Sequence, residues 1–511
     1  MNKNKQLAIN LTAQIVGFVV NFGIGFFLSP FIVRTVGSEA YGFVSLGNNF
    51  VTYATLLSTA LNSMASRFVT IHYVKDDYKN ANAYFSSVFF SNVFLAVAFT
   101  IPATFIVLFL EKLVNISPEL VYEVKILWTF IFLNFLISIV GSIFAVATFT
   151  TNKLYLSSIR SIIAQLIRAA ILFVSFSLMP KYIWYIGVAS LAQNLYCTVT
   201  NIFYTKKLVP ELKVKRSYFD IKKIKELLSS GVWNSINSLG STLLESLDLL
   251  IANLFVGSKE MGILSVAKTV PSLISSLIST VVGIFMPTLT INFAKDDKQS
   301  MIDDIKLSMK ITGLVTCVPI SVFIILGDSF YSLWQPTLDS KVLQILSVLS
   351  ISSFLVSGVV NVIFSVLTVA NKVKVPAIVQ VGTGLANTLI VLMLVNVTDL
   401  GIYVVAGVSG ILCIIKNLFI IFPYACKCIG IKKSTFYPEI IKCLIAIVIS
   451  CFVGLFVDKF VNIDNWINLI FFGIIYALIG FAIYIVFCTN KSDRAYLKNI
   501  VLKAFKKKTN I

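Results

Sequence analysis

Fourteen apolar runs follow one another along this 511-residue chain, and each approaches the length of about 20 residues that an α-helix needs to cross a bilayer. Hydrophobic residues make up 57% of the sequence and charged residues only 13%, which excludes an ordinary soluble domain. The sequence therefore predicts an all-α, polytopic membrane protein of about fourteen transmembrane helices. The runs begin near Leu7, Tyr41, Ala83, Val121, Ser157, Tyr182, Leu227, Gly262, Ser308, Val342, Val375, Gly401, Pro438 and Trp466.

Positive charge is distributed unevenly between the loops that join these runs. If the N-terminus lies in the cytoplasm, the cytoplasmic segments carry most of the 42 Lys and Arg residues, as the positive-inside rule requires. We therefore expect both termini in the cytoplasm, and we attribute much of the net charge of +19 to contact with anionic membrane lipids rather than nucleic acid. The opposite side holds only Arg34, Lys112, Lys181, Lys259, Lys341 and Lys459.

An internal repeat relates the two halves of the chain. Residues 36–46 (VGSEAYGFVSL) match residues 256–266 (VGSKEMGILSV) at five of eleven positions after a shift of 220. Because this shift spans an even number of helices, the two copies would share one orientation in the membrane; chance similarity between Gly- and Ser-rich turns is the alternative. The same shift carries Gln14, Gly17, Asn21 and Gly25, which share a helix face, onto Asn234, Asn237, Ser241 and Glu245.

The repeat and the apolar runs together predict the domain organisation. We expect an N-terminal six-helix lobe at residues 1–205, a basic cytoplasmic linker at 206–226 and a pseudo-symmetric six-helix lobe at 227–425. Two additional transmembrane helices would occupy 426–489, and a basic cytoplasmic tail would occupy 490–511.

Charged residues deep within the runs are the strongest candidates for a binding site, since an ionised Asp, Lys or Arg at the bilayer centre costs about 2.5–3.5 kcal/mol. Arg168 and Lys416 have no opposite charge nearby in sequence, and we expect them to contact an anionic substrate. Lys268 could line the same cavity or form an ion pair with Asp248.

Other polar residues in the runs are weaker candidates. Arg67 and Arg160 lie nearer the cytoplasmic face, where they could attract a pyrophosphate group or extend to the interface. Ser and Thr in polar rows are more often explained by tight helix packing. The uncharged candidates for the cavity wall are Gln14, Asn21, Asn48, Gln165, Asn234 and Asn237.

Motifs of nucleotide binding and hydrolysis are absent from the sequence. It contains no Walker loop, nucleophile elbow or HExxH motif, so we expect a transporter rather than an enzyme, and one without a cofactor. Cys426 and Cys428 form a close pair but lack the second pair that a zinc site would need, so no metal site is predicted.

Two segments carry a resemblance to a known family. Residues 21–42 (NFGIGFFLSPFIVRTVGSEAYG) resemble the opening of bacterial polysaccharide flippases of the Wzx type, in the superfamily that also holds the multidrug and toxin extrusion exporters. Residues 231–287 resemble the corresponding opening of the second lobe, and helix count and repeat extend the resemblance over the whole chain. The residues that carry the second match are Asp248, Gly257, Gly262 and Pro287.

This resemblance implies a V-shaped pair of lobes around a cationic cavity that opens alternately to the two sides of the bacterial cytoplasmic membrane. The cargo would be an oligosaccharide on undecaprenyl pyrophosphate, used for capsule, exopolysaccharide, lipopolysaccharide O-antigen or a wall polymer. Other polysaccharide-assembly proteins would be partners. The candidate residues would hydrate the sugar and pair with the pyrophosphate while the lipid tail stays in the bilayer.

Two other functions remain open on the sequence. A cation-coupled multidrug exporter of the same superfamily would use Glu245 and Asp248 as its ion or proton site, although twelve helices are more usual there. A membrane polysaccharide polymerase or ligase belongs to another class, and such enzymes tend to have a large outer loop. The longest outer loop predicted here spans only residues 327–341.

Overall fold

Helices are the regular secondary structure of this chain in the computed structural model, which describes residues 3–294, 298–370, 372–458, 461 and 463–489. Fourteen long helical segments contain or directly follow the starts of the fourteen apolar runs, so the predicted all-α fold is confirmed. The predicted basic tail at 490–511 lies outside the described residues. The segments are α1 (Lys3–Val36), α2 (Ser38–Val74), α3 (Tyr78–Leu108), α4 (Val121–Thr150), α5 (Leu154–Leu178), α6 (Tyr185–Leu208), α7 (Ile221–Val256), α8 (Ser258–Ala267 and Thr269–Ala294), α9 (Lys298–Trp334), α10 (Ser340–Thr368), α11 (Lys374–Val397), α12 (Ile402–Cys428), α13 (Tyr437–Asp458) and α14 (Trp466–Cys488).

Twelve segments in the described part of the chain are long and apolar enough to cross a membrane. The other two, α2 and α6, carry polar side chains along their length, such as Asn62 in α2 and Asn194 in α6. A helix with a polar face can still cross a bilayer where that face lies against protein or water. The protein is therefore a multi-pass membrane protein with twelve to fourteen candidate spans.

Packing divides the described chain into two compact units. The first runs to Val266 and also includes Gln380–Thr388 from the middle of α11, and the second contains the rest of the described chain. Helix α7 thus packs with α1 to α6, although the sequence repeat groups it with the C-terminal lobe. The six-helix lobes inferred from the repeat remain a prediction.

Side-chain caps begin several of the helices. Asp77 accepts a hydrogen bond from the backbone N–H of Asn80 at the start of α3, and Asp220 does the same for Lys222 at the start of α7. Hydrogen bonds from Asn80 and from His72 lower the pKa of Asp77 to about 2. These carboxylates satisfy backbone donors that the first turn of a helix leaves open.

Glycine residues let α7 pack very closely against its neighbours in the first unit. A Cβ added to Gly231 would lie 1.9 Å from the carbonyl oxygen of Ala60 on α2. A Cβ added to Gly384 of α11 would lie 2.7 Å from the carbonyl oxygen of Gly240. Since real Cβ atoms do not come this close to backbone oxygen, only glycine allows α7 to touch α2 and α11 at these points.

The two copies of the sequence repeat adopt the same local structure. Gly37 ends α1 with a φ of 87°, and Gly257, its equivalent after the shift of 220 residues, ends α7 with a φ of 151°. Residues other than glycine are strained at such φ angles, which explains why both turns contain glycine.

Equivalent residues of the two copies also contact each other within the first unit. A Cβ on Gly42 of α2 would lie 2.8 Å from Cα of Gly262 on α8, and the hydroxyl of Ser265 donates to that of Ser45 at 2.6 Å. Contacts between equivalent positions arise where two copies meet about a two-fold axis. This pattern supports a true repeat over chance similarity between turns.

The second unit contains the two C-terminal helices. In α9, Gly313 leaves no room for a side chain, because a Cβ there would lie 2.4 Å from the hydroxyl of Tyr484 on α14. That hydroxyl donates to the carbonyl oxygen of Lys310 at 2.8 Å. The thiol of Cys443 on α13 donates to the carbonyl oxygen of Gly313 at 3.8 Å, so both C-terminal helices contact α9 at this glycine.

Two glycines of α11 provide a matched test of the close packing on α7. We expect Gly384→Ala to lower the stability of the purified protein in detergent by about 1–3 kcal/mol through overpacking. Gly382→Ala is the control, since a Cβ there meets nothing within 4 Å and alanine favours helix. Thermal unfolding followed by tryptophan fluorescence measures both, and equal midpoints for the two variants would contradict the packing described.

Candidate functional site

A row of polar side chains on α5 lies along α1. Asn21 of α1 donates from Nδ2 to the hydroxyl of Ser161 at 3.4 Å. Residues three to four apart share a helix face, so the residues that follow at this spacing continue the row toward the middle of α5. The α1–α5 polar row consists of Asn21, Ser161, Gln165 and Arg168, and we include the adjacent Arg160, whose side chain extends toward α6.

Several atoms of the α1–α5 polar row are buried without a hydrogen-bond partner. Among the described residues, nothing pairs with Asn21 Oδ1, Gln165 Oε1, or Nε of Arg160 and Arg168. A buried polar group left in this state costs about 1–3 kcal/mol, and such groups are rare in folded proteins. Other buried polar atoms of the described chain also lack a partner, but these four lie on two neighbouring helices, as expected of a surface that hydrogen-bonds water or a polar ligand.

Among the described residues, no carboxylate forms an ion pair with either arginine of the row. Arg160 donates from Nη1 to Oδ1 of Asn201 on α6, and that amide is neutral. Arg168 lies near the middle of the 25-residue helix α5, and no ion pair involves it in the part of the chain that the structure describes. Guanidinium groups bind phosphate with parallel hydrogen bonds, so this row can attract a phosphorylated anion.

The polar residues of α2 divide into two groups. Asn62 and Asn92 of α3 exchange hydrogen bonds of 3.1 and 3.0 Å, which holds α2 against α3. Asn48 is exposed and donates to the carbonyl oxygen of Val44 in its own helix. Arg67 is also exposed, in the last third of α2. Asn48 and Arg67 are accessible, whereas Asn62 is used for packing.

The predicted residues of α7 lie in different surroundings. Asn234 donates to the hydroxyl of Ser63 on α2 at 3.2 Å, and Asn237 is exposed. Gln14, which the repeat relates to Asn234, is likewise exposed on α1. Asn234 therefore contributes to helix contact, while the side chains of Asn237 and Gln14 are accessible.

The acidic residues of α7 lie at a widening of the helix. Thr242–Ser246 is π-helical, so Glu245 lies within the wide turn and the buried Asp248 follows it. The carbonyl oxygen of Ser246 accepts hydrogen bonds from Asn49 Nδ2 and from the Tyr53 hydroxyl, each at 2.8 Å. Helix α2 thus satisfies a backbone group of the π-helical turn. Such turns are frequent at functional sites.

The two lysine candidates, Lys268 and Lys416, lie in the second unit. Lys268 is half-buried at the break between the two parts of α8. Lys416 is buried at the last α-helical residue of α12 before a π-helical turn, Asn417–Ile421. The predicted ion pair between Asp248 and Lys268 would join residues of different units and remains a prediction.

The structure thus places Arg160, Gln165 and Arg168 on α5, whose Ser161 contacts Asn21 of α1. Gln14 also lies on α1, and the remaining candidates lie on α2, α7, α8 and α12. Sequence reasoning missed the π-helical turns, for which composition carries no signal. It also missed Asn253 of α7, whose Oδ1 and Nδ2 both bond the backbone of Asn115 at 2.8 Å. A buried Asn near a helix end was the available signal for that contact.

Metal ligands are not clustered in the described residues, where no three His, Cys, Asp or Glu side chains lie close enough to hold an ion. Cys426 is buried and Cys428 half-buried, and both are free thiols. What the α1–α5 polar row offers chemically is hydrogen bonding and positive charge.

Comparison with known sequences gives one family and one long relative. The model of the polysaccharide biosynthesis protein family matches residues 7–293. The chain is 28% identical over 506 residues to the membrane protein EpsK of Bacillus subtilis (strain 168), and the match covers 98% of each chain.

Solved structures share the fold at low sequence identity. The lipid II flippase MurJ in its inward closed conformation has a TM-score of 0.67 and 15% identity, covering 94% of this chain and 99% of that one. An inward-facing multidrug resistance transporter of the MATE family has a TM-score of 0.63 and 13% identity, covering 83% and 98%. Because the family model spans more than half of its length, the chain belongs to the polysaccharide biosynthesis protein family.

Proposed function

We propose that this protein is a flippase that moves an oligosaccharide linked to undecaprenyl pyrophosphate across the bacterial cytoplasmic membrane. The observation that carries the proposal is the α1–α5 polar row, in which Arg160 and Arg168 lack a carboxylate partner among the described residues. Charge at such depth is costly, and an anionic substrate would compensate it on arrival. Pyrophosphate fits the guanidinium groups, and sugar hydroxyls fit the amides of Asn21 and Gln165.

The comparisons support a flippase over a drug exporter. The structure named as a lipid II flippase covers 94% of this chain, whereas the multidrug transporter covers 83%. Twelve helices are usual in the exporters, and this chain has fourteen helical segments in its described part. The family description, polysaccharide biosynthesis, agrees with a cargo that contains sugar.

The proposed cycle moves the headgroup and leaves the lipid tail in the bilayer. The polar row receives the pyrophosphate from the cytoplasm, where the basic segments and both termini lie. Contacts at the opposite end, including Ser45 with Ser265, then separate and release the headgroup outside. Other polysaccharide-assembly proteins would supply and remove the cargo.

Further residues have proposed roles in this cycle. Lys416, Lys268 and Arg67 would extend the positive surface for the substrate. Glu245 and Asp248, at the π-helical turn, would bind a coupling ion or proton. The remaining wall residues would be Gln14, Asn48, Asn234 and Asn237.

Replacement of Arg168 tests the role of the polar row. In a strain whose only copy carries Arg168→Ala, we expect surface polysaccharide to fall at least about ten-fold, since a hydrogen bond to a charged group contributes about 1.5–3 kcal/mol. Arg168→Lys, which keeps the charge, should retain part of the activity. Polymer is measured by sugar analysis of the cell surface, and protein level by immunoblot.

Lys181→Ala is the matched control, because it removes an exposed cation of the same unit outside the membrane helices. Normal polymer in Arg168→Ala at normal protein level would remove this residue from the substrate site. Loss of drug resistance with unchanged polymer on deletion of the gene would favour the exporter instead.

A reversible crosslink tests alternating access. With hydroxyls 2.6 Å apart, the pair Ser45→Cys and Ser265→Cys should form a disulfide under mild oxidation. Because this bond would hold the outer end closed, we expect export of polymer to stop and to resume after reduction. The single variants are the controls, and undiminished export from fully crosslinked protein would refute the proposed opening at this point.

A further inference from the structure

An apolar groove opens between α2, α3 and the beginning of α7. Its cavity measures about 810 Å³ and lies entirely within the first unit. Leu61 and Ile224 are buried at its base, and Phe94 extends along its wall. The polar members of the lining are Arg216 and Ser91.

The linker that carries Arg216 is fastened to α3. The backbone N–H of Lys213 donates to Oδ1 of Asn82 at 2.6 Å, and that of Lys215 donates to the hydroxyl of Ser86 at 3.2 Å. Further along, the hydroxyl of Ser87 accepts from the backbone N–H of Asp220 at 2.8 Å. The linker predicted from its charge is therefore a segment docked on a transmembrane helix.

These anchors hold Arg216 at the mouth of the groove. Arg216 lies between the anchored residues Lys215 and Asp220, in a short 3₁₀ turn, and its side chain is exposed. No carboxylate in the described residues pairs with it. Phe219 of the same segment packs edge-on against Phe90, with ring centroids 6.2 Å apart. The positive charge of Arg216 therefore lies next to the apolar wall of the groove.

The length of the groove along α3 is comparable to the thickness of one leaflet of the bilayer. Leu95 in its lining follows the anchor residue Ser87 by about two turns of α3, or roughly 12 Å. The hydrocarbon of one leaflet is about 15 Å thick, half of the bilayer core. The groove can therefore hold an acyl chain from the nearer leaflet, with the headgroup level with Arg216.

We propose that this groove is a binding site for an anionic phospholipid of the leaflet on the linker side. The acyl chain lies against Leu61 and Phe94, and the phosphate pairs with the guanidinium of Arg216. Basic pockets between transmembrane helices bind anionic headgroups in this manner. The site uses none of the residues of the α1–α5 polar row, so it stands whether or not the proposed transport function is correct.

Lipid retention by the purified full-length protein tests the site. Native mass spectrometry after exchange into detergent with equal amounts of phosphatidylglycerol and phosphatidylcholine should show phosphatidylglycerol retained preferentially. Arg216→Gln should weaken that retention about five-fold, as expected for one cation at the membrane surface. Lys222→Gln is the control, since this exposed lysine is close in sequence but does not line the groove, and it should leave retention unchanged.

Competition with two other phosphate compounds tests which molecule occupies the groove. Glycerol phosphate, which has the charge without the chain, should not displace the lipid, and undecaprenyl phosphate should displace it less well than phosphatidylglycerol does. Ser91→Phe should reduce retention of both phospholipids by filling the groove. Equal retention of the two phospholipids, an equal effect of the two cation variants, or preference for undecaprenyl phosphate would each overturn the proposal.

Discussion

Hydrocarbon offers no hydrogen-bond partner, so each polar group that this chain carries into the membrane must be satisfied by protein, water or ligand. Several polar residues of the first unit meet this requirement through protein contacts. Asn62 pairs with Asn92, and Asn253 bonds the backbone at Asn115. Within the described part of the chain, Nε of Arg160 and Nε of Arg168 have no such partner, and on this basis we propose the α1–α5 polar row as a surface for water or substrate.

Helix α7 shows how close packing and polar satisfaction depend on each other. Gly231 and Gly240 bring its backbone against α2 and α11. At that short distance, Asn49 and Tyr53 of α2 reach the carbonyl oxygen of Ser246, which belongs to the π-helical turn. A wide turn frees backbone groups from regular pairing, and partners on a neighbouring helix make it tolerable. Close approach therefore permits an irregular helix next to two acidic residues.

The arginines of the first unit discussed above lie in two different environments. Arg160 and Arg168 lie within helix α5, where desolvation makes a positive charge expensive without an anion. Arg216 is exposed on the docked linker beside an apolar groove, where it can contact a headgroup and remain hydrated. The positively charged residues that give the chain its excess charge thus contribute to two proposed sites, one for the substrate and one for a lipid.

The sequence by itself determined the number of helices, their approximate bounds and the repeat, because apolar length and a glycine turn are local properties of the chain. It also marked Arg168 and Gln165, since a polar residue inside an apolar run is visible without coordinates. Only the tertiary structure decided that Asn62 is a packing residue, that α7 contains π-helical turns and that the linker docks on Ser86 and Ser87. Those outcomes depend on which helices come within hydrogen-bond distance, and residues far apart in sequence set that distance through the shape and size of their side chains.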